Sequence, residues 1–194
     1  MNACTALLIL RLNRQSEIKK TTQKVIKSGP LADVSIQHEI RLKEIVQPAL
    51  IETQTYFLLP ATKGSAASNL AHYTSTIKVQ VMKIFVPDET LLFQYSALGF
   101  NSHKIHINRA RARNVEGLPD LIANDGLAKL LMTEFLRNEI GVNPSALRVC
   151  HLAPLYYGNP ITIVSNQINT KWQLQAFDNR SILSVDMEVE THGI

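Results

Sequence analysis

Apolar and polar side chains alternate between residues 34 and 42. Val34, Ile36, Ile40 and Leu42 share one face, and Ser35, Gln37, Glu39 and Arg41 the other. This period of two predicts a half-buried strand. Aliphatic residues dominate 5–12 and predict a strand. Ile18, Val25 and Ile26 fall at helical spacing within 15–27, which predicts a helix stopped by Gly29-Pro30. A strand is expected over 56–59, and the small polar stretch 60–69 (PATKGSAASN) reads as a surface connection. Ile77, Val79 and Val81 predict another strand, and residues 91–98 a further one after the break at Pro87-Asp88.

Residues 104–113 (KIHINRARAR) read as extended, with Ile105, Ile107, Arg109, Arg111 and Arg113 on one face. Extended geometry would set the three arginine stems about 7 Å apart. The longest helix is predicted over 119–138, with Leu127, Leu130, Leu131 and Phe135 in one stripe and Gly141 as a left-handed cap. Strands are predicted over 147–153, 161–164, 172–177 and 182–189. Many strands, one dominant buried helix and no regular strand–helix alternation give an α+β layer with a mixed or antiparallel sheet.

Composition narrows this picture only slightly. A chain of 194 residues suits a single domain spanning 1–194, and 45% hydrophobic against 19% charged residues describes a folded protein. A net charge of +4 permits attraction to phosphates. Cys4 and Cys150 stand at no metal-ligand spacing, so no metal site is read, a reducing cytoplasm is expected, and Cys150 reads as a buried structural cysteine. The apolar run 6–10 is too short to cross a bilayer, so no membrane partner is expected.

Candidate chemistry centres first on the arginine face, because guanidinium groups bind phosphate in a bidentate fork. The adjacent carboxylates Asp88 and Glu89 are candidates for an acid/base couple, with a solvated turn as the alternative. His103, His106 and His151 read as surface or internally satisfied histidines, His106 lying opposite the arginines.

Residues 111–114 (RARN), 117–123 (GLPDLIA), the helix through Phe135 and 147–160 (LRVCHLAPLYYGNP) follow in a suggestive order. Thymidylate synthases and the related deoxycytidylate hydroxymethylases have an Arg-Ser-x-Asp motif, Gly-Leu-Pro-Phe-Asn-Ile-Ala, a long helix and a strand ending near His-x-Tyr. The chain resembles that family there, more faintly back to Ser75 and over 178–194. The resemblance implies a thymidylate-synthase-like mixed sheet with one dominant buried helix, a homodimer, and a nucleotide-like ligand. Arg111 would hold its phosphate, with Arg109 and Arg113 beside it, and Tyr157 would reach its sugar.

Departures fall where the family's reaction occurs. Leu121 replaces the asparagine that reads the pyrimidine, and Leu155 replaces the histidine before the tyrosine. The partner arginine pair would fall near Thr76-Ile77, beside Lys78. Asp88, Glu89 or Thr90 stands where the family has its cysteine nucleophile, and none is a comparable soft nucleophile. The expectation is a divergent phosphate-ligand-binding protein unable to methylate deoxyuridylate by the usual route. If active, it would be a one-carbon transferase of altered mechanism, with a folate cofactor only if the family chemistry survives. The rivals are a nucleic-acid-binding strip of Arg109, Arg111 and Arg113, and a non-catalytic structural subunit.

Overall fold

The structure, a computed structural model, describes residues 12–26, 29–42, 45–58 and 80–191. The expectations for most of 5–12, for Cys4, for the connection 60–69, for Ser75, for Thr76-Ile77 with Lys78, and for Ile77 and Val79 lie outside the described residues. The chain divides into two compact units, residues 1–62 and 63–194.

The first unit contains a three-stranded antiparallel sheet in the order β1 (Leu12–Ile26), β2 (Gly29–Leu42), β3 (Leu50–Leu58). The helix expected over 15–27 is therefore a strand. It pairs with β2 along its length, Ile26 opposite Gly29. Gly29-Pro30 thus opens the next strand of a hairpin instead of stopping a helix. Across β2 and β3, Ser35 and Thr55 exchange a 2.9 Å hydroxyl hydrogen bond at directly opposed positions.

In the second unit, β4 (Val81–Phe85) is followed by α1 (Glu89–Leu98), α2 (Lys104–Ile107), α3 (Arg109–Asn114) and α4 (Asp125–Phe135). A π-helical turn, Leu136–Ile140, leads to β5 (Pro144–His151), β6 (Ile161–Ile168), β7 (Lys171–Phe177) and β8 (Leu183–Thr191). The sheet order is β4-β6-β7-β8-β5, and every pairing is antiparallel. This is not the mixed sheet that the thymidylate synthase resemblance implied.

The period-two pattern of β8 explains how the core forms. Val185, Met187 and Val189 are buried while Glu188 and Glu190 face outward. The buried face packs with Leu174 and Ala176 of β7 against Leu127, Met132 and Phe135 of α4. Burying each large side chain contributes about 1.5–3 kcal/mol, so α4 is held by its apolar stripe. The stripe differs in part from the expected one: Leu130 is 47% exposed, while Met132 and Leu136 are buried. Gly141 does cap the helix end, at φ 77° in the left-handed region.

α4 begins at Asp125, not at Pro119, because residues 117–124 run as an irregular segment in which Leu121 and Ala123 are buried. Two further expected strands are helical. Residues 91–98 belong to α1, whose start is fixed by the Asp88 side chain accepting from the Leu91 N–H at 2.7 Å. Residues 104–113 form α2 and most of α3, with Asn108 capping α3 through the Arg111 N–H at 2.9 Å. A helix turns about 100° per residue, so Arg109 and Arg113, one turn apart, share a face on which both bind Asp120, while Arg111 is turned away, and the three-arginine nucleic-acid strip does not form. Among the described residues no helix is long and apolar enough to cross a membrane.

Candidate active site

Three polar side chains far apart in sequence tie α1 to the start of α4. The amide of Asn124, which is buried, donates from Nδ2 to Ser96 Oγ at 3.0 Å on α1. Its Oδ1 accepts from Asn101 Nδ2 at 2.9 Å. Asn101 Oδ1 in turn accepts from the His103 N–H at 3.0 Å, fixing the turn that starts α2. Asn124 occupies the N-cap position of α4, yet its side chain makes no cap hydrogen bond. The first N–H groups of that helix therefore lack a side-chain cap from it and carry the partial positive charge of a helix start. Close by, the hydroxyl of Tyr95 sits only 2.2 Å from where a Cβ on residue 126 would stand, so Gly126 is what lets α1 and α4 approach there.

α2 presents His106 beside this junction. Its Nδ1 lies 2.7 Å from the carbonyl oxygen of Ile122, a carbonyl that can only accept, so Nδ1 carries the proton and Nε2 keeps its lone pair. Burial holds the His106 pKa below the usual histidine value. The Ile122 hydrogen bond opposes that shift, His103 adds to it, and Asp125 opposes it. His106 is therefore a neutral imidazole at neutral pH, aligned as a base. The ring of His103 lies 5.9 Å from it, centroid to centroid. On the other side of the α4 start, His151 Nδ1 is 3.7 Å from Asp125 Oδ1, and burial likewise lowers its pKa.

His103 also borders an open cavity of about 460 Å³, whose walls include Phe100, Asn101, Ser102, Lys104, Arg111 and Glu116. Phe100 is 95% exposed and holds a positive φ of 50°. Among the described residues no cluster of His, Cys, Asp and Glu is arranged to hold a metal ion.

The residues singled out from sequence are dispersed. Arg109 donates from Nε to Asp120 at 2.9 Å and lies 4.5 Å above the Tyr157 ring, so Tyr157 is a cation–π platform for Arg109 in this structure. Arg113 meets the other Asp120 oxygen at 2.5 Å and the Pro119 carbonyl at 3.0 Å. Although burial raises the Asp120 pKa, the Leu121 N–H and both arginines outweigh it and hold the carboxyl ionised. Arg111 is apart from them, making one 3.3 Å contact through Nε to Glu116. Asp88 is engaged as the α1 cap, and Glu89 stands 3.7 Å from Arg109. Leu121 and Leu155 are core residues, and Cys150 is an exposed free thiol, not a buried one.

An antiparallel sheet wrapped on a central helix is the hot-dog fold. The solved MaoC-like dehydratase from Phytophthora capsici matches with a TM-score of 0.70 at 15% identity, over 94% of this chain and 65% of that one. The peroxisomal multifunctional enzyme type 2 from Drosophila melanogaster matches with a TM-score of 0.71 at 14% identity, over 93% of this chain and 34% of that one. The family model of hydroxyacyl-thioester dehydratase type 2 matches residues 5–157, and the chain belongs to that family. It is 28% identical over 178 residues to mesaconyl-C(4)-CoA hydratase of Chloroflexus aurantiacus, spanning 91% of this chain but only 62% of that relative's length.

These matches overturn the thymidylate synthase resemblance, and with it the expected nucleotide ligand, one-carbon transfer and silent-subunit readings. The shared order of RARN, GLPDLIA and a helix reflected short, common segments. Sequence reasoning did not single out Asn101 or Asn124, and it read His103 and His106 as surface or internally satisfied histidines. The available signal was His103 and His106 three residues apart, which places them on one side of a helix but on opposite sides of a strand. Treating 104–113 as extended hid it.

Proposed function

We propose that this chain carries the active site of a thioester hydratase/dehydratase, adding or removing water across C2 and C3 of a hydroxyacyl or enoyl thioester such as a coenzyme A ester. The observation that carries the reading is His106 with Nδ1 fixed on the Ile122 carbonyl at 2.7 Å, half-buried beside the α4 start. In the dehydration direction, His106 Nε2 takes the proton from C2, which the thioester carbonyl makes acidic. The charge that develops on the carbonyl oxygen is met by the N–H groups at the α4 N-terminus. The C3–O bond then breaks, and the hydroxyl leaves as water after receiving a proton, for which His103 is the second carrier in reach. Hydration runs the same steps backward.

Replacing His106 by alanine is expected to lower kcat/KM for hydration of a short 2-enoyl-CoA about 10²- to 10⁴-fold, with the melting temperature little changed. Activity within a few-fold of the wild type would remove His106 from this role. A homodimer belongs to the same reading, because among the described residues β4 and β5 are the two edges of the sheet and each leaves one side of its backbone unpaired. Sedimentation of a monomer at working concentrations would refute that part.

A further inference from the structure

The cavity beside His103 holds two cations in unequal company with the other basic groups. Arg109 and Arg113 are both bound to Asp120. Arg111, in contrast, meets only Glu116 among the described residues, at 3.3 Å, and its half-exposed side chain lines the cavity. Lys104 makes no ion pair among the described residues and lines the same walls. Two cations against one carboxylate leave the cavity with an excess positive charge. The Ser102 hydroxyl and the Asn101 amide add neutral polar groups. His103, shared by the cavity and the His106 pair, joins this space to the catalytic turn.

We propose that the cavity is an anion subsite, in which Lys104 and Arg111 hold an oxyanionic group carried by the thioester substrate itself. The inference rests on the thioester reading of the His106 site and deepens it. Two parts of such a substrate supply the chemistry: a carboxylate on the acyl chain, or a phosphate on the carrier arm. Glu116 moderates the subsite by occupying one side of Arg111.

The test is equilibrium binding by calorimetry of four saturated thioesters that cannot be hydrated: butyryl-CoA, succinyl-CoA, and the butyryl and succinyl esters of N-acetylcysteamine. Lys104→Ala and Arg111→Ala are each expected to raise Kd about three- to tenfold for the esters carrying the recognised anion. The neutral butyryl-N-acetylcysteamine ester should not change. Glu116→Gln should act in the opposite sense and tighten the anionic esters. A loss confined to the two succinyl esters assigns the subsite to the acyl carboxylate, and a loss confined to the two CoA esters assigns it to the carrier phosphate. Equal effects on all four, no effect on any, or no binding of any anionic ester by the wild type would overturn the proposal. Lys83→Ala, which removes a cation paired with Glu139 on β4, controls for general charge loss. Because these ligands only bind, failure of the hydratase reading shows separately, as absent turnover of a 2-enoyl-CoA by a protein that still binds its saturated analogue.

Discussion

The sheet with α4 and the segment from Asp88 to Asn124 are built on different principles. In the first, large apolar side chains repeat with the period of their element, and Leu127, Met132, Phe135, Leu174 and Met187 are buried together. In the second, α1, α2 and α3 are short; Leu92, Ala112 and Leu121 reach into the same core, but the turns between the helices are fixed by polar contacts: the Asp88 and Asn108 caps, the Asn101–Asn124–Ser96 relay and the two arginines on Asp120. The first region supplies stability. The second supplies a neutral, oriented histidine and an uncapped helix start, which are of use to a reaction and of little use to a core.

The sharpest way to break this comparison is to damage the first region alone. Phe135, buried on α4 against the sheet, is expected to cost about 3–5 kcal/mol on replacement by alanine, read as a shift of the denaturant midpoint. A loss near zero would mean that α4 is not the centre of the core. A comparable loss from His106→Ala would mean that the two regions are not separable.

The joint between the regions gives a smaller effect whose sign is set by two opposing terms. Gly→Ala within a helix gains about 0.5–1 kcal/mol from reduced backbone freedom. At residue 126 the new methyl would meet the Tyr95 hydroxyl at 2.2 Å, and overpacking of that kind costs about 1–3 kcal/mol. Gly126→Ala should therefore destabilise. Adding Tyr95→Phe removes the nearest atom but leaves ring carbon Cζ at 3.2 Å, so the double variant should recover part of the loss. Additive losses in a double-mutant cycle would show that the two residues do not meet.

The same division explains what could be read from the chain. The strands expected over 147–153, 161–164, 172–177 and 182–189 fall on β5 to β8, with bounds that differ by up to four residues, because one face of each is apolar at a period of two. The Gly141 cap was equally legible, since only a residue without a Cβ takes φ 77° at low cost. Residues 91–98 misled because α1 carries apolar residues on several faces, with Phe93 and Leu98 exposed, so no single stripe shows; 104–113 misled because α2 and α3, four and six residues long, show barely one period each, and Arg and Ala alternating by chance imitate a strand. The relay was invisible for another reason: Asn124 lies 23 residues from Asn101 and 28 from Ser96, a pairing that only the fold creates.

The smallest expected effect is also the most specific to the second region, and concerns pH. His106 must be neutral to accept a proton, and burial sets its pKa below the usual histidine value, so the acid limb of kcat/KM should fall at a pH below that value. Asp125 pulls this pKa up and His103 pushes it down. Asp125→Asn should therefore move the acid limb to lower pH, and His103→Gln should move it to higher pH, whatever either does to the maximum rate. Stability follows the same groups. Above the ordinary histidine pKa, His106 and His151 are neutral in folded and unfolded chains alike. Below it the unfolded chain binds protons that the buried rings resist, so stability is lost as pH falls. Asp125 opposes the downward shift at both rings, so Asp125→Asn should steepen that loss while moving the activity limb the other way, towards acid. A neutral residue at 125 that left both curves in place would mean that the Asp125 carboxylate does not act on either ring, and the electrostatic account of the α4 start would fail with it.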